Sequence, residues 1–116
     1  MKYKLTEIID LPKHFDPRGS LTVAEEMKNI PFAFNKTNWR YGMPLDQSIE
    51  GHTSKAGNKF FVALAGSFRI TTTGTDSITD SILLNHPFQG LWVKPGASYT
   101  IHDFSYGAVC LEISSE

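Results

Sequence analysis

The sequence predicts an all-β domain, either a sandwich or a barrel, from two observations. Short runs rich in Phe, Val, Ile, Thr and Tyr are separated by Gly, Pro, Asn and Asp about every eight to twelve residues. No apolar pattern at helical spacing continues for several turns. The chain has 116 residues, which is enough for a core of its own, so we expect a single domain over residues 1–116.

The same Gly, Pro, Asn and Asp residues set the bounds of the predicted strands. Gly66 and Gly74 are expected to form hairpin turns, as is the segment 85–87, and Glu25–Ile30 has room for a single helical turn. The predicted strands are Leu5–Leu11, Ser20–Glu25, Phe32–Tyr41, Lys59–Ala65, Ser67–Thr73, Asp80–Leu84, Gly90–Val93, Ala97–Asp103 and Ala108–Ser114.

Alternation along two strands predicts which way their side chains face. Both faces of Phe60–Leu64 are apolar, so this strand is expected to be buried on both sides. In Phe32–Tyr41, one face begins apolar and becomes polar and cationic, as in a strand that runs from the packed end of a barrel to its open mouth. A strand whose end emerges into solvent explains the same pattern. The residues of this face are Phe32, Phe34, Lys36, Asn38 and Arg40.

Charge and cysteine content exclude several classes of protein. A formal net charge of −1 gives no field that would attract nucleic acid or an anionic membrane, so neither is expected as a partner. The single cysteine, Cys110, excludes an internal disulfide and a multi-cysteine metal site, and its apolar neighbours predict that it packs in the core. The segment Met1–Leu5 has no apolar signal region and no run reaches transmembrane length, so we expect a cytoplasmic protein.

His52 is the leading candidate for acid–base chemistry. It follows Gly51 and precedes the strand expected to be buried on both faces, and imidazole exchanges protons close to neutral pH. The alternative is a hydrogen-bonded histidine in a loop. One kind of metal site on a small β-barrel needs a His-x-His pair, a Glu several residues on and a later His. Because Ser54 stands at the second His position and no Glu lies between His52 and Gly66, we expect no metal.

Three other residues each have two interpretations. Arg18 lies in an Asp-Pro-Arg-Gly turn, where it can brace the turn through a carboxylate or bind a phosphate. Trp92, with Leu91 and Val93 on the opposite face, is expected in the core, although it could stack on a nucleobase. Tyr99 and His102 differ in parity, so at most one of them is expected to face a cavity.

Several short segments, in this order, resemble the sugar-nucleotide 3,4-ketoisomerases, the WxcM-like branch of the cupins. The resemblance extends from about Leu5 to Ile113. The segments that carry it are Arg18-Gly19-x-Leu21, Ile30-Pro31-Phe32, Ala65-Gly66-Ser67, Gly90-Leu91-Trp92 and Asp103-Phe104-Ser105.

The resemblance implies a cupin-type jelly-roll barrel that forms homodimers, often by exchange of an N-terminal strand. It implies a metal-independent reaction on dTDP-4-keto-6-deoxyglucose in deoxysugar or polysaccharide biosynthesis. A base removes the C3 proton, an enediol forms, and a proton returns at C4, which moves the keto group from C4 to C3. No cofactor is expected.

Catalysis in that family centres on an Arg-Gly-x-His-x-His segment, and this chain departs from it. The first histidine falls on His52, but the second falls on Ser54 and the arginine on Ile49; a late tryptophan falls on Ser98 and a tyrosine on Asn38. Arg40 could supply the cation missing at Ile49, and Tyr99 or Ser54 could place a hydroxyl near His52. We therefore expect His52, Tyr99 and Ser54 to be catalytic. The expected substrate-binding residues are Arg40, Lys36, Asn38, Arg18 and His102.

The leading hypothesis is a 3,4-ketoisomerase of a dTDP-linked 4-keto-6-deoxyhexose. One alternative is a non-catalytic module that binds nucleotide sugars, which the altered pocket positions favour. Another is a cupin that binds an unrelated small molecule, since a fold does not fix a function.

Overall fold

The structure, a computed structural model, describes residues 5–74 and 79–115. Within these residues the chain forms two antiparallel sheets that pack face to face, and a separate hairpin. The strands are β1 (Thr6–Asp10), β2 (Lys13–Asp16), β3 (Gly19–Thr22), β4 (Lys36–Arg40), β5 (Ile49–His52), β6 (Lys59–Ala65), β7 (Phe68–Thr73), β8 (Thr79–Leu84), β9 (Gln89–Val93), β10 (Ser98–His102) and β11 (Val109–Ser114). This part of the chain holds no helix that is long and apolar enough to span a membrane.

One sheet has five strands in the order β1-β9-β6-β11-β4, and the other has four in the order β5-β10-β7-β8. The hairpin pairs β2 with β3. This architecture is a jelly roll of the cupin type, so the predicted all-β fold is confirmed. The edge strands β4 and β5 follow one another in the chain but belong to different sheets, and the sandwich is therefore open between them.

The inner core fills the space between the two sheets. It includes four aromatic side chains, Phe61, Phe68, Tyr99 and Phe104, and the Phe61 and Tyr99 rings meet edge-on with centroids 5.2 Å apart. Burial of these apolar surfaces is the main favourable contribution to folding. Cys110 belongs to this core, as its apolar neighbours predicted.

A second core covers the outer face of the five-stranded sheet. Phe60 and Val62 of β6 pack there against Leu11, Ile30 and Phe32 from the segment between β1 and β4. The prediction that this strand is buried on both faces is therefore confirmed for residues 60–63, whereas Leu64, which was also predicted to be buried, is 45% exposed. Trp92 packs against the same outer core, while its neighbours Leu91 and Val93 face the inner core, as predicted.

The segment before β4 differs from the prediction. Strand β4 begins only at Lys36, because the residues before it form no ladder among the described residues beyond one hydrogen bond from the Asn35 amide to the Ser114 carbonyl. Phe32 and Phe34 pack in the outer core, whereas Arg40 pairs with Cys110 of the inner core. The prediction that all these residues share one face was wrong.

Two short strands escaped the sequence prediction, and one predicted turn has a different form. Strands β2 and β5 have four residues each and alternate weakly, so their pattern alone did not separate them from loops. At Glu25–Ile30 the amides of Asn29 and Ile30 both donate to the Glu25 carbonyl, at 3.1 and 3.0 Å. Met27 has a φ of 60°, which is incompatible with a continuing right-handed helix, so the segment is a closed turn.

The connections between strands also correct the prediction. The β7–β8 pair confirms the hairpin at Gly74, whose following residues 75–78 lie outside the described residues. Gly66, in contrast, joins β6 of one sheet to β7 of the other, and the segment 85–87 joins β8 to β9 in the same way. Gly66 has a φ of +65°, and a Cβ there would lie 2.5 Å from the Ser105 Oγ, so this crossover requires glycine.

Gly90→Ala tests how tightly the outer core is packed. A Cβ at Gly90 would lie 2.0 Å from the Phe60 ring, so we expect the variant to lose about 1–3 kcal/mol of unfolding free energy. Urea denaturation measures the loss. Phe60→Leu in the Gly90→Ala background should recover part of it by making room. An unchanged urea midpoint for Gly90→Ala would contradict this packing.

Burial of Cys110 predicts an alkaline limit to stability. Burial and then the Glu112 charge raise the pKa of the thiol to about 12, partly opposed by Arg40. The folded state therefore holds a proton that the unfolded chain releases above about pH 9. The unfolding free energy should fall between about pH 9 and pH 12, by at most about 1.4 kcal/mol per pH unit from this group. Urea denaturation across this range should show a shallower fall in Cys110→Ala, and equal slopes would count against the argument.

Candidate active site

A polar groove of about 370 Å³ lies at one end of the four-stranded sheet, on the face that points away from the inner core. Strand β10 runs along its centre, with β5 on one side and β7 on the other. Four of its residues carry hydroxyl groups on outward-facing side chains, and one is a histidine. These outward-facing residues are Glu50, His52, Thr71, Thr73, Ser98 and Thr100.

His52 ends strand β5 and pairs directly with Ser98 of β10. Paired residues of an antiparallel ladder point to the same face, so the imidazole and the Ser98 hydroxyl lie side by side on the groove. His52 is exposed, since β5 is an edge strand and only β10 flanks it among the described residues. The imidazole can therefore meet a ligand without any rearrangement of the core.

Tyr99 also borders the groove, but its ring belongs to the inner core. It pairs with Gly51, and a Cβ at Gly51 would lie 2.5 Å from the Tyr99 hydroxyl oxygen. The absence of a side chain at Gly51 thus leaves space for the phenol. His52 and Tyr99 point to opposite faces of the β5–β10 pair, and the hydroxyl beside His52 is that of Ser98.

A buried ion pair lies next to Tyr99 between the sheets. The Lys59 Nζ is 2.7 Å from a Glu112 carboxylate oxygen, and the two side chains are 14% and 8% exposed. Burial would lower the pKa of Lys59, but the hydrogen bond and charge of Glu112, with Tyr99, outweigh it and raise that pKa. Burial and the Glu112 charge likewise raise the pKa of Tyr99, opposed by Lys59 and Arg40. Both groups therefore hold their protons at neutral pH.

Lys36, Asn38 and Arg40 share the inner face of β4, where they pair with Ser114, Glu112 and Cys110 in that order. The prediction that these three share a face is confirmed. They belong to the five-stranded sheet, whereas His52 belongs to the other. The registers nevertheless place Lys36 and His52 at the same end of the sandwich. Lys36 pairs with Ser114, which pairs with Lys59. Lys59 lies beside Tyr99, and Tyr99 pairs with Gly51, the residue before His52.

His102 lies on the outer face of β10, opposite in direction to Tyr99, as parity predicted. Its Nε2 is 2.7 Å from the Thr71 Oγ1, and its Nδ1 is 3.4 Å from an Asp103 carboxylate oxygen. His102 itself does not line the groove, but Thr71 does. The histidine therefore reaches the groove through a hydroxyl group.

The other two predicted site residues lie outside the groove. Arg18 occupies the turn between β2 and β3, where Asp16 pairs with Gly19, so the predicted turn is confirmed. Ser54 follows β5, and its carbonyl accepts hydrogen bonds from Gly57 and Gly96. The roles predicted for both stay predictions. Across the described ranges, no group of three or more His, Cys, Asp or Glu side chains is arranged to hold a metal ion.

Sequence reasoning missed the groove threonines and the Lys59–Glu112 pair. The threonines had a usable signal: Thr71 and Thr73 alternate with the buried Ile70 and Thr72 along β7, which indicates a polar face. Lys59 and Glu112 are 53 residues apart in the chain, and only the pairing of β6 with β11 brings them together.

Comparison with known proteins gives a consistent result. Residues 4–116 match the family described as FdtA: WxcM-like, C-terminal. The chain is 32% identical over 110 residues to a TDP-4-oxo-6-deoxy-α-D-glucose 3,4-oxoisomerase from Aneurinibacillus thermoaerophilus, a match that covers 95% of this chain and 78% of that one.

Two solved structures share the fold over most of their length. The sugar 3,4-ketoisomerase QdtA from Thermoanaerobacterium thermosaccharolyticum, in complex with TDP, has a TM-score of 0.90 and 28% identity, covering 97% of this chain and 81% of that one. The TDP-quinovose 3,4-ketoisomerase WlaRB from Campylobacter jejuni has a TM-score of 0.91 and 26% identity, covering 98% and 87%. The chain belongs to the FdtA, WxcM-like C-terminal family.

Proposed function

We propose that this protein is a 3,4-ketoisomerase that acts on TDP-4-keto-6-deoxyglucose or a close relative of that sugar nucleotide. The observation that carries the proposal is the match to a TDP-4-oxo-6-deoxyglucose 3,4-oxoisomerase over 95% of the chain. The groove supports it, because an accessible imidazole lies there among hydroxyl groups that can bind a sugar.

His52 is the proposed base. Isomerisation requires removal of a proton from C3, and imidazole is the side chain best suited to this task near neutral pH. Lys59 and Tyr99 cannot take that role, since both have raised pKa values and stay protonated. The Ser98 and Thr100 hydroxyls, in the centre of the groove, would bind the sugar hydroxyls and the developing enediolate.

Binding of the diphosphate is proposed for the cationic residues on and near β4. Lys36 and Arg40 offer positive charge on the inner face of this edge strand, with Asn38 between them as a hydrogen-bond donor. A nucleotide that lies across the opening between β4 and β5 would then place its sugar against His52. Arg18 is a further proposed phosphate contact from the β2–β3 turn.

We also propose that the protein is a cytoplasmic homodimer, as expected from the family resemblance. Edge strands offer unpaired backbone groups, and an exchanged strand would cover one such edge. Mass measurement in solution tests the assembly directly, and a monomeric mass would contradict it.

Proton NMR of TDP-4-keto-6-deoxyglucose incubated with the protein in deuterated water tests the function. We expect the C3 proton signal to decay faster than in a protein-free sample and a 3-keto sugar to appear. His52→Asn should slow both by about 100-fold or more, because it removes the base while keeping a polar side chain of similar shape.

The matched control is His86→Asn, since His86 lies in the β8–β9 connection and stacks on Phe88 instead of lining the groove. It should behave as wild type. Binding of the sugar nucleotide without loss of the C3 proton signal would support the non-catalytic alternative, which the serine at position 54 favours. Absence of binding would overturn both.

Arg40→Ala tests the proposed diphosphate contact. Loss of one charged hydrogen bond is worth about 2 kcal/mol, so we expect KM for the sugar nucleotide to rise about 30-fold. Lys28→Ala removes one positive charge from the distant, exposed turn over the outer core and should leave KM unchanged. Full turnover with unchanged KM in Arg40→Ala would remove this residue from the site.

A further inference from the structure

A hydroxyl, an imidazole and a carboxylate form a chain that ends in the groove. Thr71 lines the groove, and its Oγ1 is 2.7 Å from the His102 Nε2. The other ring nitrogen, Nδ1, is 3.4 Å from the Asp103 carboxylate. This is the order of groups by which an enzyme activates a weakly acidic hydroxyl, with the base oriented by a third group.

The backbone after β10 supports a specific placement of the carboxylate. Asp103 has a φ of 57°, in the left-handed region that residues other than glycine seldom adopt. This turn brings the Asp103 side chain back against the histidine that precedes it. The carboxylate also contacts Arg69, whose Nε is 4.0 Å from it. The negative charge can therefore compensate a proton on His102.

The position of Thr71 relative to His52 fits a site in which the two side chains lie on opposite sides of a bound sugar. Both side chains lie on the same face of the four-stranded sheet, and β10 separates their strands. Thr73 lies directly across β10 from His52, two strand spacings or about 10 Å away, and Thr71 lies two residues farther along β7, so there is room for a sugar between the imidazole and the Thr71 hydroxyl. The Ser98 and Thr100 side chains of β10 would then lie beneath the sugar.

We propose that Thr71, backed by His102 and Asp103, is the second proton-transfer group of the site. This inference rests on the proposed function. A 3,4-isomerisation moves one proton from C3 to C4 and another from the C3 hydroxyl to the C4 oxygen. His52 carries the first proton, and Thr71 carries the second.

The proton balance closes over one turnover. In the first half, the C3–H bond breaks to His52 while Thr71 gives its proton to the C4 oxygen and receives one from protonated His102. The product of this half is the enediol. In the second half, His52 returns its proton to C4, the C3 hydroxyl gives its proton to Thr71, and Thr71 reprotonates His102. Asp103 stabilises the charged imidazole and needs no proton of its own. Thr71 is thus a catalytic residue, and His102 and Asp103 are positioning residues.

Four variants test this proposal against a purely structural hydrogen bond between β7 and β10. Thr71→Val and His102→Gln should each lower kcat about 100-fold with little change in KM. Thr71→Ser keeps the hydroxyl and should retain most of the activity. The matched control is Ser81→Ala, because the Thr71 hydroxyl also donates a hydrogen bond to the Ser81 Oγ, at 3.4 Å, and Ser81 is not part of the proposed relay. It should leave kcat unchanged.

The double variant Thr71→Val/His102→Gln separates a relay from two independent contacts. If the residues act as a unit, the double variant should be no slower than the slower single variant. Additive losses, or a Thr71→Val variant with wild-type kcat, would overturn the proposal. Thermal denaturation of each variant shows whether it folds. If Thr71→Val does not fold, His102→Gln tests the proposal, because His102 lies on the partly exposed face of β10.

The result also distinguishes the two proposals. An active wild type that is slowed by His52→Asn but not by Thr71→Val or His102→Gln would overturn only the relay. A wild type that neither exchanges the C3 proton nor forms product would overturn the proposed function and the relay together.

Discussion

Burial of β6 on both faces is the constraint on which the rest of the structure depends. Phe60 and Val62 pack in the outer core while Phe61 and Ala63 pack in the inner core, so the strand has no solvent-facing side over most of its length. A slip of one residue would exchange the two faces of the strand. Since β9 and β11 both pair with β6, its register also fixes theirs.

The register of β6 has an electrostatic consequence at its first residue. Lys59 faces the space between the sheets, and its neighbour β11 places Glu112 within 2.7 Å. Removal of either partner would leave a buried charge uncompensated. This costs more unfolding free energy than replacement of both partners by apolar residues. The two charges of the pair compensate each other, so with the protonated Tyr99 they form a polar interior without net charge, and the candidate groove lies on the opposite face of β5 and β10.

Sequence patterns predicted the features that depend on neighbours along the chain. The two-faced burial of β6, the opposite directions of Tyr99 and His102, and the Asp16–Gly19 turn all follow from local alternation or turn chemistry. The crossover at Gly66 did not, since a glycine with positive φ fits a hairpin and a crossover equally well. The Thr71–His102 contact depends on the register between β7 and β10, which no local pattern contains. His52 was singled out because its residue type and the family resemblance agreed, and its catalytic role stays a prediction.

The division of the candidate site between two sheets affects how motion would act on it. His52, Thr71 and His102 all belong to the four-stranded sheet, whose ladder holds them in fixed relation. Lys36 and Arg40 belong to the five-stranded sheet, and the two sheets are joined mainly by apolar packing at the core, together with the contact between Lys59 and Tyr99. A slight parting of the sheets between β4 and β5 would therefore move the proposed diphosphate contacts away from the groove, yet leave the proposed proton-carrying groups in register. Ligand capture and release could then be tuned by inner-core packing without cost to the chemical step.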